Sequence, residues 1–186
     1  MMRRRSLIFA ALLTAAAFAL PATAAAQLEP SVPLDSFFGT WHGMGVEETD
    51  DALFFSMGRR DLDIEIVGED DGFAITWTTL RRTGDDPDSP EFERTTTYME
   101  FYPGDTQHLF EGYDSGNPLE GEIMGWARLH GATLSIYRMA VDEDGGYWLG
   151  SWDRTLNEQD RMELRYTLLN DGQPVRNVIG QLERVE

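Results

Sequence analysis

Two arginines fall where apolar residues would be expected. Arg138 follows Leu134 and Ile136 at every second position, and Arg154 follows Trp148 and Trp152 at the same spacing. Successive side chains of a β-strand point to opposite faces, so each arginine shares a face with its apolar neighbours. A guanidinium on an inward face must be paired, hydrogen-bonded or wet. The alternative is a one-residue offset in face, which would turn both arginines to solvent. Other chemistry has weaker footing. His42, His108 and His130 are far apart, and no two have metal-ligand spacing. The chain has no cysteine, which removes a catalytic thiol and thiolate-bound zinc. Gly150-Ser151-Trp152 is not a Gly-x-Ser-x-Gly nucleophile turn, and no phosphate-cradling glycine loop is present. Asp142-Glu143-Asp144 lacks the alternate-residue spacing of a calcium loop. The 33 acidic residues offer many carboxylate pairs, but number alone does not make a glycosidase. An enzyme acting on a hydrophobic substrate would have to draw on Glu111, Asp153 or Tyr166 as its acid or base.

Strands must position these residues. Period-two alternation predicts them over 38–47, 61–67, 73–82, 92–102, 107–113, 121–130, 132–142, 147–155, 161–169 and 175–185. Leu62, Ile64 and Ile66 alternate with Asp63 and Glu65. Phe73, Ile75 and Trp77 form one face of the next strand. Met162, Leu164, Tyr166 and Leu168 alternate with Glu163 and Arg165, and Val178, Leu182 and Arg184 oppose Gln181 and Glu183. Turn chemistry separates the strands. Glu69-Asp70-Asp71-Gly72, Asp142-Glu143-Asp144-Gly145-Gly146 and Asn170-Asp171-Gly172 supply residues that tolerate positive φ. Residues 85–90 and 114–118 read as longer loops. Residues 48–60 are ambiguous and suit a short helix, a lid or a further strand around Leu53-Phe54-Phe55. Nine or ten consecutive strands on short connections predict an all-β fold, an antiparallel up-and-down β-barrel. Closure removes the exposed edges that a long open sheet would carry. An open sandwich is the alternative, but it would need longer crossovers.

The N-terminus reads as an address. Arg3, Arg4 and Arg5 precede an apolar run from Leu7 to Leu20, too short to span a bilayer comfortably. Pro21 ends it, and Ala24-Ala25-Ala26 offers a cleavage site before Gln27. The expected organisation is a cleaved secretory signal over 1–26, an extended lead-in over 27–36 and one barrel domain over 37–186. Pro30 and Pro33 argue against helix in the lead-in. The expected location is periplasmic or secreted, with no integral membrane segment after cleavage. The formal net charge is −18 and becomes −21 once Arg3 to Arg5 are removed. Every one of the 15 lysine-plus-arginine positions is arginine. Such a field repels nucleic acid and anionic headgroups, so neither is an expected partner.

Phe37-Phe38-Gly39-Thr40-Trp41-His42-Gly43-Met44-Gly45 enters the first strand. Glycines on the face of Trp41 make room for its ring and let the strand bend. A Gly-x-Trp entering the first strand of an up-and-down barrel resembles the calycin superfamily, which includes the lipocalins. The resemblance implies a lipocalin-like barrel with Trp41 packed across a closed end. It also implies that a last-strand arginine, here Arg184, lies over the indole. Gly39, Trp41, Gly43 and Arg184 are then structural. The form Gly39-x-Trp41-x-Gly43-x-Gly45 is similar, over the first strand only, to nitrobindin-type haem barrels. Those ligate haem through a histidine near the C-terminus. Residues 178–186 contain none, so neither haem nor any other cofactor is expected.

Fatty-acid-binding calycins hold a ligand carboxylate with interior Arg and Tyr. The resemblance therefore implies Arg138, Arg154 and Tyr166 as anchors, with Trp77, Trp148 and Trp152 as apolar walls. The first functional reading is an exported barrel that binds a small apolar or amphipathic molecule. A second is an envelope accessory protein, with a filled barrel acting through protein contacts. A third is a barrel isomerase or cyclase. A solid interior would favour the second reading, and an isolated interior carboxylate the third.

Overall fold

A computed structural model describes residues 31–48, 58–82 and 91–185. The signal segment, residues 27–30 of the lead-in and Leu53 to Phe55 lie outside the described residues. Among the described residues, ten antiparallel strands follow one another around a closed barrel. They are β1 (Gly39–Glu48), β2 (Gly58–Glu69), β3 (Gly72–Arg82), β4 (Phe92–Pro103), β5 (Leu109–Gly112), β6 (Met124–His130), β7 (Thr133–Val141), β8 (Tyr147–Leu156), β9 (Arg161–Asn170) and β10 (Gln173–Val185). β1 closes the ring by pairing with β10, Trp41 opposite Arg184 and Gly43 opposite Leu182. The all-β up-and-down barrel is therefore observed.

Local chemistry explains the turns. Asn170 pairs with Gln173 across Asp171 and Gly172, and both turn residues have positive φ, 48° and 76°. That is the two-residue geometry whose twist matches a hairpin. The two expected strands beside the long loops are shorter than the pattern implied. Residues 107–113 reduce to Leu109–Gly112, because Gly104 donates to the Leu109 carbonyl around a turn. Residues 121–130 reduce to Met124–His130, because Pro118–Glu120 forms a 3-10 turn capped by Asn117. The β5 seam is consequently thin, with three register pairs to β4 and three to β6. The extended lead-in also differs in part. Pro33 is extended, but Leu34–Phe37 winds into one 3-10 turn directly after it.

The register fixes which residues face inward. Trp41 stands beside Ile64, Ile64 beside Trp77, and Trp152 beside Ile136 and Tyr166. The half of the barrel near Trp41 is solid. Phe37, Trp41, Ile66, Phe73, Ile75, Leu134, Ile136, Met162 and Leu182 are all fully buried. Phe73 stacks on Phe101 at 4.9 Å and meets Phe110 edge-on at 5.4 Å. Trp41 Nε1 donates to the Phe37 carbonyl at 2.9 Å, so the 3-10 turn plugs this end. Arg184 lies over the indole with Cζ 4.1 Å from its centroid. Its guanidinium donates to the Phe38 and Ser36 carbonyls and reaches Asp160. Gly39, at φ 125°, leaves the space: a Cβ there would lie 2.9 Å from Arg184 Nη1.

Candidate functional site

The other half of the barrel is hollow. A cavity of about 350 Å³ lies inside it, walled by β2, β3, β4, β8, β9 and β10. Its apolar wall is an aromatic cluster. Trp152 stacks on Tyr166 at 4.8 Å and leans on Trp77 at 5.6 Å. Gly150 allows this packing, since a Cβ there would lie 3.0 Å from the Trp152 ring. Ile64, Leu62, Leu164 and Val178 complete the lower wall.

Arg154 forms the floor. It pairs in register with Leu134 and Leu164, both buried, and is itself only 1% exposed. Its Nη1 donates weakly to the Trp152 carbonyl at 3.4 Å, and its Cζ lies 5.5 Å from the Trp77 centroid. Among the described residues its Nε has no hydrogen-bond partner. Burial pushes its pKa down to about 9, against the pull of Asp153, so it remains a cation at neutral pH. Asp153 is no direct partner. It is on the outer face, where it accepts from the Ser135 hydroxyl at 2.6 Å.

The upper wall carries paired arginines. Glu47 accepts from Arg60 and bridges to Arg176 at 2.7 Å. Arg81 pairs with Glu93 at 2.6 Å at the rim. The Arg60 Nε is a second buried donor without a partner among the described residues. Burial raises the pKa of Tyr166, while the fields of Arg176, Arg60 and Arg138 oppose the rise.

Of the residues named from the sequence, Trp77, Trp152, Arg154 and Tyr166 line this cavity. Arg138 and Trp148 share the inner face, opposite Gly150 and Ala140 respectively, but lie outside the cavity wall. Glu111 and Asp153 are on the outer face, in register with Trp126 and Ser135. His42 is outward and pairs with Asp63 at 2.7 Å, His130 is in register with Thr133, and His108 occupies the turn before β5. The cluster of Arg60, Glu47 and Arg176 was not singled out from the sequence. Its signal was available: Arg60 continues the parity of Leu62, Ile64 and Ile66, and Arg176 that of Val178 and Leu182.

A larger depression, about 1480 Å³, covers the outer face of β1, β10, β9, β8 and β7. Its polar groups include the pairs Arg161–Glu183 at 3.1 Å and Ser135–Asp153. Volume alone does not make it the better site, because both buried donors without a partner, on Arg154 and Arg60, belong to residues lining the smaller interior cavity. Among the described residues, no group of His, Asp and Glu is placed to hold a metal ion, and no helix is long and apolar enough to cross a membrane.

No protein-family model matches the chain, and no curated protein does. Among solved structures, the chain is similar to a protein of unknown function from the DUF3598 family of Nostoc punctiforme PCC 73102. That match has a TM-score of 0.54 and 16% identity, covering 84% of this chain and 51% of the other. The chain thus spans about half the length of that protein, and the likeness concerns the fold alone. A second, looser match is to the S-type phycobiliprotein lyase CPES from Guillardia theta. It has a TM-score of 0.37 and 11% identity, covering 82% and 90% of the two chains.

Proposed function

We propose that this is a calycin-like barrel, exported by its N-terminal signal, that binds a small, mostly apolar or amphipathic molecule in the hollow half. The observation that carries this reading is the 350 Å³ cavity walled by Trp77, Trp152 and Tyr166. That volume is at the lower end of small-molecule sites, and its lining sets aromatic and aliphatic side chains beside four arginines, three threonines and Glu93, so a ligand with both apolar and polar parts fits it. The solid half supplies a rigid base, so binding need not be accompanied by ordering of the core. Export rests on Arg3 to Arg5, the run from Leu7 to Leu20 and the small residues before Gln27. Mass spectrometry of the secreted protein should find an N-terminus at Gln27; retention of Arg3 to Arg5 would overturn export.

The binding test uses tryptophan emission. Octanamide and phenylbutyramide, titrated into the wild type, should change emission saturably. Trp152→Phe should reduce the amplitude of that change. An unchanged wild-type signal with both molecules, alongside a clear spectral difference between wild type and Trp152→Phe, would sink the reading.

A further inference from the structure

β4 is paired unevenly along its two edges. Toward β3 its register runs without a break from Phe92 to Phe101, but toward β5 it covers only Phe101 to Pro103. The Tyr113 amide donates to the Glu100 carbonyl at 2.9 Å, so the even-numbered residues of β4 turn their backbone groups away from β3. By the same alternation Arg94, Thr96 and Tyr98 present N–H and C=O groups to that edge, where no strand pairs with them among the described residues. Threonines at 95, 96 and 97 favour extended backbone, and no proline or bulge interrupts the run. The surface beside it is apolar. Among the described residues, six of the twelve exposed large apolar side chains are Phe92 and Tyr98 on β4, and Tyr113, Leu119, Ile123 and Met124 on the chain from β5 into β6. That chain leaves and rejoins the barrel beside β4: Tyr113 bonds to Glu100, and a Cβ on Gly125 would lie 3.1 Å from Met99 Cε. An unpaired strand edge flanked by exposed apolar side chains is a template for another strand.

We propose that this edge pairs with the same edge of a second copy of the chain, antiparallel about a twofold axis through Thr96. The register follows from the backbone groups still unused. The Glu100 carbonyl is taken, so the ladder ends at Tyr98. Laying Arg94 to Tyr98 against itself then sets Thr96 opposite Thr96 and Arg94 opposite Tyr98. Three pairs of this hydrogen-bonded kind exchange about six backbone bonds. The outward side chains match in charge. Each Arg94 lies beside the partner's Tyr98 and one diagonal step from the partner's Glu100, whose carboxylate accepts from the Tyr98 hydroxyl within its own chain. Two chains of net charge −18 repel each other, so the dimer needs salt to screen that field. Because the contact is isologous, it consumes the edge it uses and closes at two copies.

The test is sedimentation velocity of the exported protein in about 0.3 M salt. The wild type should pass from one chain to two between about 1 and 100 µM, the range of a small contact. Thr96→Pro should weaken the dimer at least about tenfold, because it removes a donor from each copy at the twofold axis and leaves the β3 ladder untouched. Arg94→Glu should weaken it as well, by setting a carboxylate beside the partner's Glu100. A wild type that stays single up to about 500 µM, or that grows beyond two copies, would overturn the proposal. So would a dimer that survives Thr96→Pro unchanged. The chain has no cysteine, so one introduced thiol reports the register. In the paired register the two Cα atoms at position 96 would be about 5.5 Å apart, within disulfide reach. Thr96→Cys should therefore crosslink to a dimer under air oxidation, and Val67→Cys, exposed on β2, should not. If Thr96→Pro fails to fold, the crosslink decides: its absence, or equal crosslinking of both cysteine variants, rules out this edge.

Discussion

Arg184 and Arg154 are both on inner strand faces beside a tryptophan, but they do different work. Arg184 covers Trp41 at 4.1 Å and spends its donors on two carbonyls and a carboxylate. Arg154 is buried more deeply and is left with an orphaned Nε. One arginine finishes the fold, and the other strains it. The charge is met at the solid end of the barrel and left unmet at the hollow end, which is where the binding site is proposed.

Removing the plug should cost most. Trp41→Ala is expected to lose about 3–5 kcal/mol, the range for a large buried aromatic. Urea denaturation would measure this, and a midpoint equal to wild type would break the contrast. Arg184→Met comes next, at roughly 1–3 kcal/mol, because it orphans the carbonyls of Ser36 and Phe38 at a partly exposed site. Arg154→Met should go the other way, neutral or more stable by about 1–2 kcal/mol without ligand, since it removes a buried charge that has no partner. A loss as large as that of Trp41→Ala would mean that Arg154 is structural after all.

The effect of Arg154 should also depend on pH. Its folded pKa is depressed to about 9, below the ordinary guanidinium value. Between about pH 9 and pH 12 the unfolded chain therefore binds more protons, and this group's contribution to stability rises with pH. The stabilisation by Arg154→Met should be full at neutral pH and shrink as pH climbs through that window. Parallel midpoints of wild type and variant across it would contradict the assignment. The smallest effect belongs to the surface. His42→Gln breaks an exposed pair with Asp63 and should produce no resolvable midpoint shift.

Parity and turn residues made the strands legible. Leu62, Ile64 and Ile66 against Asp63 and Glu65 give β2, and Asp171-Gly172 gives the hairpin into β10. What parity cannot give is height along the barrel axis. Arg138 and Arg154 have the same kind of neighbours in sequence and share the inner face, yet only Arg154 reaches the cavity wall. Strand tilt and stagger set that height, and both come from inter-strand register. The Arg60–Glu47–Arg176 cluster was obscured for a related reason: β2 begins three residues earlier than its apolar pattern, at Gly58, so Arg60 lay outside the expected strand.

β5 contributes four residues and three pairs on each side, while β9 and β10 share ten. Opening free energy scales with the contacts that must break, so the barrel should breathe along this seam. Deuterium should replace the amide protons of Phe110 and Glu111 well before those of Leu164 and Leu182. A barrel that looks like a continuous wall would then behave as a ribbon with a clasp.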